Sequence, residues 1–198
     1  MNLLSRLLAG VFVGACLLGL AIVSTAQTAE TPAKEAMILS FRGVDFVHRW
    51  SKDGQNEFTP RSDSDLATWR DMITVNVYES VTTGEQLADV ANRILSRYQG
   101  RGKIVRTDSK PRTGDRPAEH LIVAALGDPK FLEAAFARCV LVNGAGLVAV
   151  YSHRVYGQAA GPEMSEWLKA NGAQVEKALM EWDKLPSAAN LKRLPQSK

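Results

Sequence analysis

The pair of side chains best suited to nucleophilic chemistry is Cys139 with His120, in the C-terminal half of the chain. Both lie in segments patterned as neighbouring strands, and folding these symmetrically about their turns places His120 opposite Ala137. Cys139 then shares a face with His120, one diagonal step away, and an imidazole in that place could activate a thiol. A one-residue change of register would separate the two side chains, and unpaired cysteines are commonly buried as small apolar residues. We therefore expect a core cysteine, with an exported enzyme using a cysteine- or carboxylate-based site as an alternative.

Residues that could hold a metal or a nucleotide lack the spacing that such sites require. His48, His120 and His153 fall in three separate predicted strands without any paired spacing, so no metal site is expected. Residues 144–149 match a dinucleotide fingerprint in their letters. A strand follows them, however, where that fingerprint needs a helix N-terminus to receive the pyrophosphate. The sequence predicts no cofactor.

A cluster of basic residues between positions 93 and 116 is the most informative polar feature. Only Asp108 and Asp115 oppose it within this segment. Such a patch suits an acidic protein surface, with an anionic glycan or lipid headgroups as alternatives, and charge runs are also typical of ordinary solvated faces. It lacks the interleaved aromatic residues that stack on nucleic-acid bases, so nucleic acid is not expected. The predicted partner-binding residues are Arg93, Arg97, Arg101, Lys103, Arg106, Lys110, Arg112 and Arg116.

One aromatic residue is a second candidate for partner contact. In the segment 44–50, alternation puts Val44, Phe46, His48 and Trp50 on one face of a strand. Trp50 ends that strand beside a polar turn, and an exposed tryptophan there would mark a contact site.

The elements that must position these residues form an α+β pattern. Thr83 with Gln86 has capping-box spacing, and apolar residues then follow at helical intervals up to Gly100. Sequential hairpins imply a mostly antiparallel sheet, which two amphipathic helices can cover. The predicted strands are 44–50, 56–59, 72–78, 103–109, 120–126, 131–142 and 147–156, and the predicted helices are 62–69, 84–99 and 162–182.

This order of elements resembles the PsbP-like fold, an antiparallel sheet sandwiched by helices. The resemblance rests on the strand MITVNVY before a helix, on TGDRPAEHLIVAAL leading into the next strand, and on AVYSHRVYG before a terminal helix with its tryptophan. It spans about residues 72–182 and is one of order and spacing. Members of that fold are mostly accessory or partner-binding modules, so the resemblance implies a binding role.

The N-terminus has the layout of a secretory signal. Arg6 precedes an apolar run over residues 7–23, and the small residues Ser24 and Ala26 sit three positions apart where a peptidase would cut. A run of this length is at the short edge of a membrane span, so an uncleaved anchor is the competing interpretation. The predicted organisation is a signal over 1–26, a flexible lead-in over 27–36, one domain over 37–183 and a loose tail over 184–198.

Together these features predict a periplasmic or secreted accessory protein that docks a protein partner. The net charge of +3 falls by one when Arg6 leaves with the signal, which is too near neutral for a general polyanion binder. Docking would use the open surface of the sheet, the first hairpin or the basic cluster. A small-ligand or lipid carrier, with its ligand held between sheet and helix, is the remaining alternative.

Overall fold

The computed structural model describes residues 37–198, which fold into eight β-strands and three α-helices. The strands are β1 (Ile38–Phe41), β2 (Val44–Lys52), β3 (Gln55–Pro60), β4 (Asp71–Tyr78), β5 (Gly102–Lys110), β6 (Glu119–Gly127), β7 (Phe131–Val142) and β8 (Ala145–Tyr156). The helices are α1 (Gly84–Gln99), α2 (Ala160–Met180) and α3 (Ala188–Lys192).

The predicted signal over 1–26 and lead-in over 27–36 lie outside the described residues. Within residues 37–198, no helix combines the length and the apolar character that a membrane crossing needs.

All eight strands join one antiparallel sheet in the order β1-β2-β3-β4-β8-β7-β6-β5. Helix α1 packs across β5, β6 and β7, whereas α2 packs on β7 and β8 from the opposite side. We call these two sides of the sheet the α1 face and the α2 face. The predicted fold class, an α+β sandwich built on an antiparallel sheet, is confirmed.

Alternation along the strands divides the core into two layers. Phe58, Phe136 and Leu179 are fully buried between the sheet and α2. Leu87 and Cys139 are equally buried on the other side, beneath α1. Because successive side chains of a strand point to opposite faces, the apolar runs in β6, β7 and β8 can supply both layers at once.

The capping box predicted for α1 is present. Gln86 N donates to Thr83 Oγ1 at 3.3 Å, and Thr83 N donates to Gln86 Oε1 at 3.2 Å. Gly100 ends the helix, and Gly102 begins β5 where a Cβ would lie 2.1 Å from the carbonyl oxygen of Ala125. Glycine at position 102 therefore lets β5 approach β6 closely just after the helix stops.

Two local predictions were wrong around the first hairpin. Strand β1 was not predicted, and residues 62–69 form turns rather than a helix. Asp65 accepts hydrogen bonds from Ala67 N at 2.8 Å and Thr68 Oγ1 at 2.8 Å, and Asp63 accepts one from Arg70 N at 3.1 Å. These side-chain bonds satisfy the backbone locally and compete with helix formation.

The predicted loose tail over 184–198 was also wrong. Leu191 and Leu194 are buried in the core on the α2 face, and the Ser187 side chain caps α3. Ser197 N donates to Ser51 O at 2.7 Å, which ties the end of the chain to β2. Burial of these two leucines stabilises the packing of the tail on the domain. The prolines around them in the sequence gave no sign of this packing, and the domain extends from 37 to 198.

The register between the last three strands differs by two residues from the symmetric prediction. His120 lies opposite Cys139 rather than Ala137, and His153 lies opposite Ala134. The second hairpin turns through only Asn143 and Gly144, both with positive φ, instead of the four residues assumed. A shift of two residues leaves every side chain on its predicted face.

Candidate functional site

Cys139 and His120 share the α1 face as predicted, but their geometry is that of core residues. Cys139 is 0% exposed, and burial raises the pKa of its thiol to about 12. His120 Nδ1 lies 3.2 Å from Ser109 Oγ, and its Nε2 is buried without a hydrogen-bond partner within residues 37–198. A thiol held protonated in an apolar layer is not an activated nucleophile.

A polar cluster on the α2 face was missed by sequence reasoning. Asp71 Oδ1 accepts a hydrogen bond from Tyr151 Oη at 2.6 Å and lies 2.9 Å from His153 Nδ1. The His153 ring stacks on Trp167 of α2 with centroids 4.0 Å apart. Burial favours the neutral carboxyl, but the hydrogen bonds from His153 and Tyr151, with the charges of His153 and Arg42, hold the pKa of Asp71 below its ordinary value.

This cluster joins α2, through Trp167 and His153, to the first residue of β4. Its members are positioned by direct pairing, since Asp71 lies opposite His153 across β4 and β8. The adjoining cavity of about 240 Å³ is lined largely by apolar residues, with Arg42 and Asp71 at its margin. The only feature of the sequence that pointed to this cluster was an aspartate and a histidine at matched ends of two predicted strands.

Arg138 is a second polar anchor, and it is buried within the apolar run ARCVLV. Its guanidinium pairs with Glu119 at 2.8 Å and donates to the carbonyl oxygens of Leu179 at 2.8 Å and Trp182 at 2.7 Å. A cation at the C-terminus of a helix satisfies carbonyls that have no partner within the helix and complements the helix dipole. Arg138 therefore fixes the end of α2 on the sheet.

The structure divides the predicted basic cluster into two groups. Four residues around the connection from α1 to β5 are exposed, and none makes an ion pair or a side-chain hydrogen bond within residues 37–198. Arg97 lies in the last turn of α1 and Arg101 lies just after the helix. The positive charges of both act on the side chain of Tyr98, which lies between them in the sequence. We call these four the junction group: Arg93, Arg97, Arg101 and Lys103.

The other group lies toward the far end of β5 and is engaged with acidic partners. Arg106 contacts Asp108 at 2.8 Å and Glu176 of α2 at 3.4 Å. Lys110 Nζ lies 3.7 Å from Glu119 and donates to the carbonyl oxygen of Met180, and Arg112 contacts Glu85 at 2.9 Å. We call these three the anchored group: Arg106, Lys110 and Arg112. Arg116, in the following loop, is exposed and has no ion pair within the described residues.

Trp50 does not lie on the face predicted for it. A bulge between His48 and Trp50 inserts Arg49 into β2, so Trp50 lies opposite Glu57 on the α1 face. Because the side-chain period is two, one inserted residue reverses the faces of everything beyond it. Among residues 37–198, the helix on that face is α1, which packs on β5, β6 and β7 rather than on β2, and Trp50 is half-buried.

The larger cavities are grooves between elements. One of about 640 Å³ runs between the β2–β3 turn and α3 and is lined by residues such as Asp53, Tyr78 and Lys192. Another of about 470 Å³ lies beside the end of α2 and is lined by residues such as Arg116, Glu119 and Trp182. A third, of about 310 Å³, lies between β5 and the second half of α2, with Arg106, Lys110 and Glu176 in its walls. Their mixed polar linings differ from the apolar pocket that a lipid carrier requires.

No protein-family model and no curated protein matches the chain. Among solved structures, the Ran-binding protein Mog1p of Saccharomyces cerevisiae matches with 14% identity and a TM-score of 0.44, over 74% of this chain and 91% of that one. Protein PA94 of Pseudomonas aeruginosa, described as of unknown function and a putative regulator, matches with 11% identity and a TM-score of 0.43, over 77% and 99%.

A third similar structure is the cyanobacterial PsbP, CyanoP, of Synechocystis sp. PCC 6803. It matches with 11% identity and a TM-score of 0.34, over 85% of this chain and 96% of that one. The weak PsbP-like resemblance predicted from the sequence is confirmed. At these TM-scores the likenesses carry no inference about partners or chemistry.

Proposed function

We propose that the chain is an exported accessory protein that performs no reaction and docks an acidic protein surface through its junction group. The observation that carries this proposal is the contrast in pairing. The guanidinium groups of Arg138 and Arg154 each contact a carboxylate at 2.8 Å, whereas Arg97 and Lys103 contact none within residues 37–198. Cations that the fold does not use are available to a partner, and complementary charge steers association.

The interior supports a docking protein over the alternatives. Cys139 is buried and protonated, which leaves the proposed cysteine-based enzyme without an accessible nucleophile. Phe136 and Leu179 are fully buried where sheet and α2 meet, the place where a carrier would hold its ligand. A packed interior with unsatisfied charge outside is the arrangement that suits binding at the surface.

The compartment in this proposal comes from the N-terminal sequence. Arg6, the apolar run over 7–23 and the small residues up to Ala26 have the layout of a cleavable signal. We place the mature chain in the periplasm or outside the cell, with cleavage near Ala26. N-terminal sequencing of the protein from its own compartment tests this part separately from docking.

The test of docking is crosslinking of the tagged, natively exported full chain in its own compartment, followed by mass spectrometry of what co-purifies. The key variant reverses two junction charges, Arg97→Glu with Lys103→Glu. Lys52→Glu is the control for charge reversal elsewhere on the surface, because Lys52 is also exposed but lies at the first hairpin. We expect a reproducible protein partner whose capture falls at least about tenfold in the double variant and at about 0.5 M salt, where exposed ion pairs are screened.

Any of three results would overturn the proposal. Capture that is unchanged by the double reversal places the docking surface elsewhere, and loss with Lys52→Glu instead points to the first hairpin. Binding of heparin or of anionic phospholipid vesicles with the same charge dependence, and no protein partner, replaces the acidic protein by a glycan or a lipid.

A further inference from the structure

Strand β5 is the last strand of the sheet order, so no strand of the described residues pairs with its outer edge. It is nine residues long, and every residue except Ile104 is exposed. An unpaired edge presents a row of backbone N–H and C=O groups that another extended chain can use. The opposite edge of the sheet, β1, has only four residues and offers a much shorter template.

The edge of β5 carries features that reject a second copy of the same strand. Lys103, Arg106 and Lys110 project on the α2 face, where Asp108 is their only acidic neighbour within the strand. Arg106 and Lys110 also contact Glu176 and Glu119, but these carboxylates are only 17% and 13% exposed, whereas the two cations are 54% and 46% exposed. The charge that this row presents to solvent is therefore mainly positive. Val105 forms a bulge between Ile104 and Arg106. Positive charges and bulges protect natural sheet edges against association with themselves. The same positive charges do not repel an acidic strand.

The surroundings of this edge favour an acidic extended segment. Side chains on one side of an added strand would lie in the row of Lys103, Arg106 and Lys110. The groove of about 310 Å³ between β5 and α2 borders that row and can take side chains from the added strand. Val105, 50% exposed at the bulge, offers an apolar contact in the middle of the edge.

We propose that the outer edge of β5 binds an acidic segment of a partner protein as a ninth, antiparallel or parallel, strand. This inference rests on the proposed function and extends its docking surface from Lys103 of the junction group along β5 to Arg106 and Lys110, which remain half-exposed beside their acidic partners. Backbone pairing supplies the affinity, and the cations supply the selectivity for an acidic sequence. The bulge limits the regular pairing to Arg106–Lys110 and, beyond Val105, to Gly102–Ile104.

The first experiment measures binding of a fluorescent peptide of about nine residues, in which glutamate alternates with threonine, to the full chain. Its control has the same composition with alternate backbone nitrogens methylated, so that the charge is kept and strand pairing along one edge is lost. We expect the methylated peptide to bind at least about tenfold more weakly, the equivalent of 1.4 kcal/mol. Equal binding of the two peptides would overturn the strand while leaving the acidic docking surface in place.

The second measurement is amide hydrogen exchange of the protein with and without the unmodified peptide. In an edge strand, alternate amides point away from the sheet and exchange freely. Strand addition predicts new protection at alternate residues of Arg106–Lys110 and of Gly102–Ile104, with none in α1. Protection spread evenly over α1 and β5, or confined to the junction group, would contradict it.

A pair of variants separates failure of this inference from failure of the proposed function. Lys103→Glu with Arg106→Glu should abolish peptide binding, whereas Lys52→Glu should leave it unchanged. No binding of the unmodified peptide, while the natural partner is still captured in a junction-dependent way, would overturn the strand alone. If the natural chain neither binds the unmodified peptide nor captures a partner in a junction-dependent way, the proposed function is overturned as well.

Discussion

Lys103 stands near the start of β5 and Lys110 at its end, and both are exposed, yet their surroundings differ. Lys103 belongs to the junction group and has no ionic partner within residues 37–198. Lys110 reaches Glu119 and the carbonyl oxygen of Met180 at the C-terminus of α2. Two lysines of one strand therefore differ: Lys103 extends into solvent, whereas Lys110 makes contacts that hold α2 on the sheet.

The difference arises from where the helices end. The last carbonyls of α2 lie over the far end of β5, β6 and β7, and cations there satisfy acceptors that the helix cannot. At the near end, α1 stops at Gly100 and the connection to β5 leaves Arg101 in solvent. Basic residues that are close in the sequence therefore do not have the same surroundings, because the fold places some of them beside the end of α2 and leaves others in solvent.

The largest effect that sharpens this contrast is expected at Arg138, which is buried and holds the C-terminal end of α2 on the sheet. Arg138→Leu leaves Glu119 without its partner and the carbonyls of Leu179 and Trp182 without a donor. Removing one side of a buried ion pair typically costs about 3–5 kcal/mol, so we expect a loss of that size in the free energy of unfolding in urea. Arg138→Lys keeps the charge but not the forked geometry of the guanidinium. Its free energy of unfolding should therefore lie between those of the natural chain and of Arg138→Leu. A loss below about 1 kcal/mol would show that α2 is held by other contacts.

Arg138 also shows what the sequence could and could not predict. An arginine inside ARCVLV was a charged residue in a buried strand, and its partners lie in β6 and at the C-terminal end of α2, distant in the chain. The capping box of α1 was predictable because Thr83 and Gln86 are three residues apart and act locally. Alternation similarly predicted the strands from β2 to β8 and the shared face of His120 and Cys139.

The predictions that were wrong depended on single inserted residues and on contacts between residues distant in the sequence. One residue, Arg49, forms the bulge that turns Trp50 to the other face, and no composition signal marks it. The tail from 184 on is rich in proline and polar residues, yet Leu191 and Leu194 find the core on the α2 face. The basic cluster was predictable as a set, but its division needed the position of Glu119, Glu176 and the end of α2.

A matched pair of lysine reversals gives the next largest effect. Lys110→Glu brings a negative charge to Glu119 and to the C-terminus of α2, which should lower the free energy of unfolding by about 1 kcal/mol. Lys103→Glu meets no acidic partner and should change it by less than about 0.5 kcal/mol. Urea unfolding of both variants measures this. Equal losses would mean that the two ends of β5 do not differ as the structure indicates.

The smallest effect is expected at Arg112, in the anchored group. The pKa of Glu85 is held below its ordinary value by hydrogen bonds from its own backbone N–H and from Thr83, and by Arg112 at 2.9 Å. Arg112→Gln should therefore raise the pKa of Glu85 part of the way back, as measured by NMR titration, whereas Arg97→Gln should leave it in place.

The sign of the linked stability change follows from that shift. A carboxyl whose pKa is lower when folded stabilises the protein above the ordinary glutamate pKa, and this contribution is lost as the pH falls through the lower, folded value. Arg112→Gln should thus make the unfolding free energy less dependent on pH in the acid range, by a small amount because Glu85 is exposed. If Arg97→Gln shifts Glu85 as much as Arg112→Gln does, the cations act on it as one diffuse field, and the division into an anchored and a junction group does not hold.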